Sequence, residues 1–251
     1  MPDPRRVASL WPQAASFAAL LAVWEVANET SNPYWLPSLQ SVGSSWWDLA
    51  SSGAFSAATT SLRTLGIGLA VVVVLGAVLS GLLASVRLLD DALSPLINAA
   101  MSTPTVALVP VYVLIWGYSD TTRVVAIISF SLFPLVLQWI AALRRVPAEL
   151  TEMSHAFAAS RTARVRTIVI PAVAPLLLNG ARVGVVQAIK GLITSELIIG
   201  VVGVGKLIVQ ASDTFDMPQL YAVVLTVVAA SIVSYVVLST LEHRSSRWAD
   251  A

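Results

Sequence analysis

Long uncharged apolar runs constrain this chain more than any other feature. "LGIGLAVVVVLGAVLSGLLAS" (65–85), "VVAIISFSLFPLVLQWIAAL" (124–143) and "YAVVLTVVAASIVSYVVLSTL" (221–241) stand out. Each has the length of about 20 residues that carries a helix across the hydrocarbon of a bilayer. Inside that layer no water is available to bond the backbone, so a span must satisfy its own N–H and C=O groups. Runs that are apolar around the whole helix circumference do so as lipid-embedded or bundle-core helices. Six spans are expected, at about 10–28, 62–86, 93–116, 123–143, 180–200 and 219–241. The fold class is therefore an all-α membrane protein with about six transmembrane helices, in one domain over 1–251. Charge agrees, since only 12% of the residues are charged against about 25% in soluble domains.

Other chemistry is excluded by what the chain lacks. Without cysteine there is no disulfide framework and no thiolate metal site. His155 and His243 are far apart, so no metal site is expected. The arginines sit in short connections rather than in a basic stripe interleaved with aromatics, which argues against nucleic acid. A membrane enzyme would need a nucleophile and base, or a carboxylate–histidine cluster, inside the spans. Neither histidine lies there, so no catalytic residue is assigned.

Arginine placement sets the topology. With the N-terminus inside, Arg5, Arg6, Arg87, Arg144, Arg145, Arg161, Arg164, Arg166, Arg244 and Arg247 fall on the cytoplasmic side. The opposite side then holds Arg123 and Lys206. Both termini are expected in the cytoplasm, with the first span retained rather than cleaved as a signal peptide. An outer connection over about 34–55 carries Tyr34, Trp35, Trp46 and Trp47. These suit the interfacial belt, and an amphipathic helix from about Leu39 to Ala50 is expected there.

One cytoplasmic segment, 147–171, breaks the apolar pattern. Pro147 fits a first helical position, and Glu149 and Glu152 follow beside the positive end of the helix dipole. Leu150, Met153 and Phe157 then recur at helical spacing. Ser160 is placed to cap a second helix bearing Arg161, Arg164, Val165, Ile168 and Val169, which Pro171 is expected to end. Two short amphipathic helices of this kind are unstable alone in water and need a surface to pack against.

This segment resembles the EAA loop of ABC-importer permeases, roughly E-A-A-x-x-x-G-x(9)-I-x-L-P. Glu152 matches the glutamate, and Ile168, Ile170 and Pro171 match the end of the pattern. Met153 and Ser154 stand in place of the alanines, and Ala158 in place of the glycine. If the family glycine is left-handed, alanine there costs about 1 kcal/mol. "LLAVWE" (20–25), "YWLPS" (34–38), "SLRTLGIG" (61–68), "STPTVALVPVYVLIWGYS" (102–119), "PAVAPLLLNGARVG" (171–184) and Arg247-Trp248 are similar, in order, to the sulfonate/taurine/nitrate branch.

The resemblance implies a type I ABC-importer permease fold with a cytoplasmic helix-turn-helix coupling loop, in the bacterial inner membrane. It implies a second copy of the chain, two cytoplasmic ATPase subunits that bind ATP and Mg²⁺, and an extracytoplasmic solute-binding protein. This chain itself would bind no cofactor. Glu149, Glu152, Met153, Phe157, Ala158, Ser160, Arg161, Arg164, Ile168 and Pro171 are the residues expected to couple to the ATPase. The implied cargo is a small anionic solute such as a sulfonate, taurine, nitrate or an aromatic carboxylate. A vitamin or pyrimidine precursor is the alternative.

"GVVGVGKL" (200–207) imitates a phosphate-binding loop but ends in Leu207, leaving no hydroxyl for Mg²⁺, and no strand precedes it. It resembles the family's glycine turn after the fifth span. The fifth span itself holds Arg182, Gln187, Lys190 and Glu196. Ionisable groups at such depth face a cavity or a partner. Gln187, Lys190 and Glu196 are therefore candidates for the translocation path, with a structural role as the other reading of Glu196. Lys190 either faces the path and favours an anion, or bonds carbonyls or a carboxylate of a neighbouring helix. An ion-coupled carrier would show paired intramembrane carboxylates and inverted repeats. Here only Glu25 and Glu196 appear, without a visible repeat.

Overall fold

The described residues, 10–30, 35–54, 56–156 and 160–249, form helices joined by short connections in a computed structural model. In order come α1 (Leu10–Thr30), α2 (Leu39–Ser51), α3 (Ser56–Ser85), α4 (Arg87–Ser102), a 3-10 turn (Thr105–Leu108), α5 (Val109–Trp116) and α6 (Asp120–Leu143). These are followed by α7 (Ala148–Ala156), α8 (Arg161–Arg164), a π-helical turn (Val165–Val169), α9 (Ile170–Ile199), α10 (Gly203–Asp213) and α11 (Met217–Ala249). By length and hydropathy, α3, α6, the run Thr162–Ile199 and Met217–Thr240 qualify as membrane spans. Arg87–Ser102 with Thr105–Trp116 makes a fifth if the bent pair crosses as one. α1, expected as the first span, forms its helix but is not among these.

Two compact units divide the chain: Met1–Ser56 with Leu207–Thr226, and Ala57–Lys206 with Val227–Ala251. In the first, the expected amphipathic helix forms as α2. The Ser38 hydroxyl accepts the Ser41 N–H at 3.2 Å, and the Glu25 carboxylate accepts the Leu39 N–H at 3.2 Å. Both acceptors occupy the positive end of the helix dipole. α2 buries Val42 and Leu49 and leaves Trp46 and Trp47 exposed. Trp24 donates to the Pro37 carbonyl at 2.9 Å and meets Tyr221 edge-on, with ring centroids 5.1 Å apart.

In the second unit α6 is central, and its most extensive packing is against α9. Lipid tails are as apolar as leucine, so helix association here depends on close fit rather than on expulsion of water. α3 buries Gly68, Val72, Gly76 and Ser80 at every fourth residue. A Cβ on Gly68 would strike Ile127, and one on Gly76 would strike Leu135. α9 repeats the device with Gly180 against Trp139, Gly184 against Leu135 and Gly191 against Phe130. Val72, Ile127, Leu135, Ala188 and Leu192 form one core, and Leu83, Ile97, Leu132, Val136 and Ile140 another.

Two expectations are corrected. The span expected over 93–116 is not one helix: α4 and the Thr105–Trp116 piece meet at 88°. Pro104 is the cause, because its ring drives the preceding residue out of the α region, and Thr103 is extended at φ −79°, ψ 132°. Pro110 then sits at the start of α5, where a missing N–H is tolerated. Pro171, expected to stop the second cytoplasmic helix, lies at the start of α9, and the helix runs through it from Thr162 to Ile199. The π turn just before it, with the Ile170 N–H on the Val165 carbonyl, is what lets a proline be carried in a continuous helix.

Candidate functional site

The 147–171 segment takes much of the shape expected from its sequence. α7 opens directly after Pro147, whose carbonyl accepts the Leu150 N–H at 3.2 Å. Ser160 caps the second helix, its hydroxyl accepting the Ala163 N–H at 3.2 Å. Glu149 and Glu152 are exposed, and Met153 presents 55% of its surface. Ser154, by contrast, is buried. Arg164 and Ile168 are half-buried and Pro171 is exposed. Phe157 and Ala158, with the bend expected between the two helices, lie outside the described residues, as does the side chain of Arg161.

From this segment α9 runs as one rod past the polar residues of the fifth span. Asn179, Arg182, Gln187 and Lys190 follow one another along the exposed side of α9 and line a recess of about 380 Å³ closed by Tyr235 of α11. The Arg182 guanidinium stands 4.7 Å from the centre of the Tyr235 ring, a cation–π contact, and donates to Asn179 Oδ1. Gln187 and Lys190 also line a second recess of about 280 Å³, walled by Met101 and Thr105 at the broken span and by Ser129, Phe130 and Phe133 on α6. Lys190 is exposed and makes no hydrogen bond or ion pair with any described residue of its own chain.

The structure separates Glu196 from Gln187 and Lys190. It lines neither recess and is fully buried. Arg123 Nη1 lies 3.2 Å from Glu196 Oε1. The Ser61 hydroxyl stands 2.7 and 2.9 Å from the two carboxylate oxygens. The Gly205 N–H donates to Oε2 at 3.1 Å, and the Val204 N–H to the Ser61 oxygen at 2.9 Å. Arg123, whose side chain is 2% exposed, also pairs with Asp120. The imitation phosphate loop is thus a clamp around a carboxylate. Gly203, at φ +71°, could carry no Cβ, because one would collide with the Glu196 carboxylate. Gly205 is pressed as closely onto the Glu196 backbone.

Ser61 and Arg123 are not among the expected site residues. The topology expects Arg123 only as a charge on the outer side; in the structure its side chain is buried. A signal existed: a carboxylate at Glu196 inside an apolar span requires a cation, and Arg123 lies in the first turns of α6, the helix packed on α9.

Comparison with known proteins gives these features a family. The binding-protein-dependent transport system inner membrane component family matches residues 72–249. The riboflavin transport system permease protein of Chloroflexus aurantiacus is 32% identical over 165 residues, 66% of this chain and 62% of the relative. The formylaminopyrimidine transport permease protein of Halalkalibacterium halodurans is 27% identical, covering 92% of this chain and 93% of the relative. The nitrate import permease protein of Synechocystis is 24% identical, covering 88% and 82%. An inward-facing structure of the MetNI methionine ABC transporter shares the fold with a TM-score of 0.64 at 18% identity, over 74% of this chain and 92% of that one. Apolar spans and a family match over most of the chain converge: this protein belongs to the inner membrane permease components of ABC importers.

Proposed function

We propose that this permease carries a small anionic solute inward as a homodimer, with each 147–171 segment seated in a groove of a separate ATPase subunit. ATP and Mg²⁺ are bound by that partner, and an extracytoplasmic binding protein delivers the solute. The observation that supports this most is the continuous helix Thr162–Ile199. It joins the capped coupling segment to the side of α9 that bears Arg182, Gln187 and Lys190. Movement imposed by the ATPase on the segment is then passed along a stiff rod to the solute-facing residues, with the π turn as the joint.

Lys190 supports an anionic cargo. An ammonium within a span is too costly to leave against acyl chains, and Lys190 has no partner among the described residues of its chain. Two-fold pairing of the subunits would bring two such cations to one path. The distribution of arginines supports cytoplasmic N- and C-termini. Purification from the native membrane in mild detergent tests the reading. The chain is expected to bring down an ATP-binding chain in equal number; a permease that purifies without one would overturn it.

A second reading, a flat vitamin or pyrimidine precursor as cargo, is supported by the solutes for which the Chloroflexus and Halalkalibacterium relatives are named. The two readings part on which compound raises the melting temperature of the cognate binding protein.

A further inference from the structure

The 280 Å³ recess is built from three pieces that do not belong together on a lipid-facing surface. Its floor is the break between α4 and the 3-10 turn. Non-helical backbone at membrane depth is tolerated where it is buried in protein or lines a wet cavity. Its polar side is Lys190 with Gln187, one cation and one amide. Its remaining wall is aromatic and soft: Phe130, Phe133 and Met101. The Ser129 hydroxyl beside them is already engaged, 2.8 Å from the Tyr112 hydroxyl and 2.8 Å from the Val125 carbonyl.

The aromatic wall is held in place rather than loosely hung. Phe130 lies directly on α9 because the residue after Lys190 is glycine. A Cβ on Gly191 would stand 3.0 Å from Phe130 Cβ and 3.1 Å from its Cγ. Phe130 and Lys190 thereby line the same recess from adjoining helices. A site for an inorganic anion would surround it with donors. Here one cation meets apolar walls, in a volume near the lower end for small-molecule pockets, about 300 Å³.

We propose that this recess is a solute subsite for a planar aromatic or heteroaromatic anion. The ring packs on Phe130, Phe133 and Met101, and the anionic group is held by the Lys190 ammonium and the Gln187 amide. The assignment rests on the permease reading and narrows its cargo to a flat ring bearing a negative group.

The test is ¹⁹F NMR of 4-fluorobenzoate with the full chain, in complex with its ATPase subunits in nanodiscs. Nitrate and taurine are the competitors. Line broadening by the wild-type complex is expected, and neither competitor should remove it at equal concentration. Lys190→Met and the pair Phe130→Leu/Phe133→Leu should each weaken binding by about tenfold, whereas Lys190→Arg should keep it. Retained co-purification with the ATPase controls for assembly. Displacement by nitrate at equal concentration, or binding indifferent to the phenylalanines, would overturn the aromatic assignment. Binding indifferent to Lys190→Met would overturn the anionic one. Failure of the permease reading is seen separately, as a complex in which no ATPase subunit is present.

Discussion

At the scale of single residues, the Arg123–Glu196 pair shows how a membrane protein keeps charge inside. Each group is desolvated, so neither tolerates the loss of the other, and breaking such a pair costs about 3–5 kcal/mol. Arg123→Met leaves the Glu196 carboxyl buried without its cation among Ser61 and the glycine turn, and a fall of many degrees in the melting temperature of the detergent-solubilised protein is expected. Arg123→Met combined with Glu196→Gln should recover most of that fall, because a neutral amide still bonds the Ser61 hydroxyl and the Gly205 N–H. A double variant no more stable than Arg123→Met would show that the charges are not coupled. The Arg123 Nε is buried without a hydrogen bond among the described residues, so the arginine is held by its two carboxylates alone.

At the scale of elements, proline decides where helices break and where they continue. Pro104 breaks a span, with Thr103 before it in the extended region that a following proline favours. Pro171 does not, because the π turn precedes it and it falls where α9 begins. The second helix of the 147–171 segment is therefore continuous with α9 from Thr162. Met153, exposed on α7, is the apolar side chain that the proposed function seats in a partner groove. Met153→Asp, at a position that presents 55% of its surface, should leave the permease folded while abolishing ATP-dependent uptake in vesicles. Uptake at the wild-type rate would remove Met153 from the coupling surface. Packing of α9 on α6 makes a separate prediction. Gly184→Leu drives a side chain into Leu135, and overpacking of this kind costs about 1–3 kcal/mol. It should lower the melting temperature without touching either recess.

At the scale of the whole molecule, the prediction is topology. The chain contains no cysteine, so a single introduced thiol reports its side of the membrane without background. Ser160→Cys, in the coupling segment, and Arg145→Cys should react with an impermeant maleimide only in inverted vesicles. Ser52→Cys, after α2, should react in intact spheroplasts. The reverse pattern would turn the molecule over and detach the 147–171 segment from any cytoplasmic ATPase.

The capped helix pair was legible because its signals are local: Pro147 at a helix start, Ser160 at an N-cap, apolar residues at helical spacing. The spans were legible for a similar reason, since composition and length alone decide whether a helix can lie in hydrocarbon. The break at Pro104 and the passage through Pro171 were not, because a proline constrains only its neighbours, and whether the helix resumes depends on what packs around it. The deepest difference concerns charge. Sequence by itself determined that Lys190 and Glu196 lie within one span, and at about 100° per residue their separation puts them on different faces. Only the tertiary structure decided that Glu196 is answered by Arg123, 73 residues away in the chain and brought close by glycine-to-leucine packing of α9 on α6. Lys190 was left facing an aromatic recess, because helical periodicity fixes an angle, while only the neighbouring helices fix what stands there.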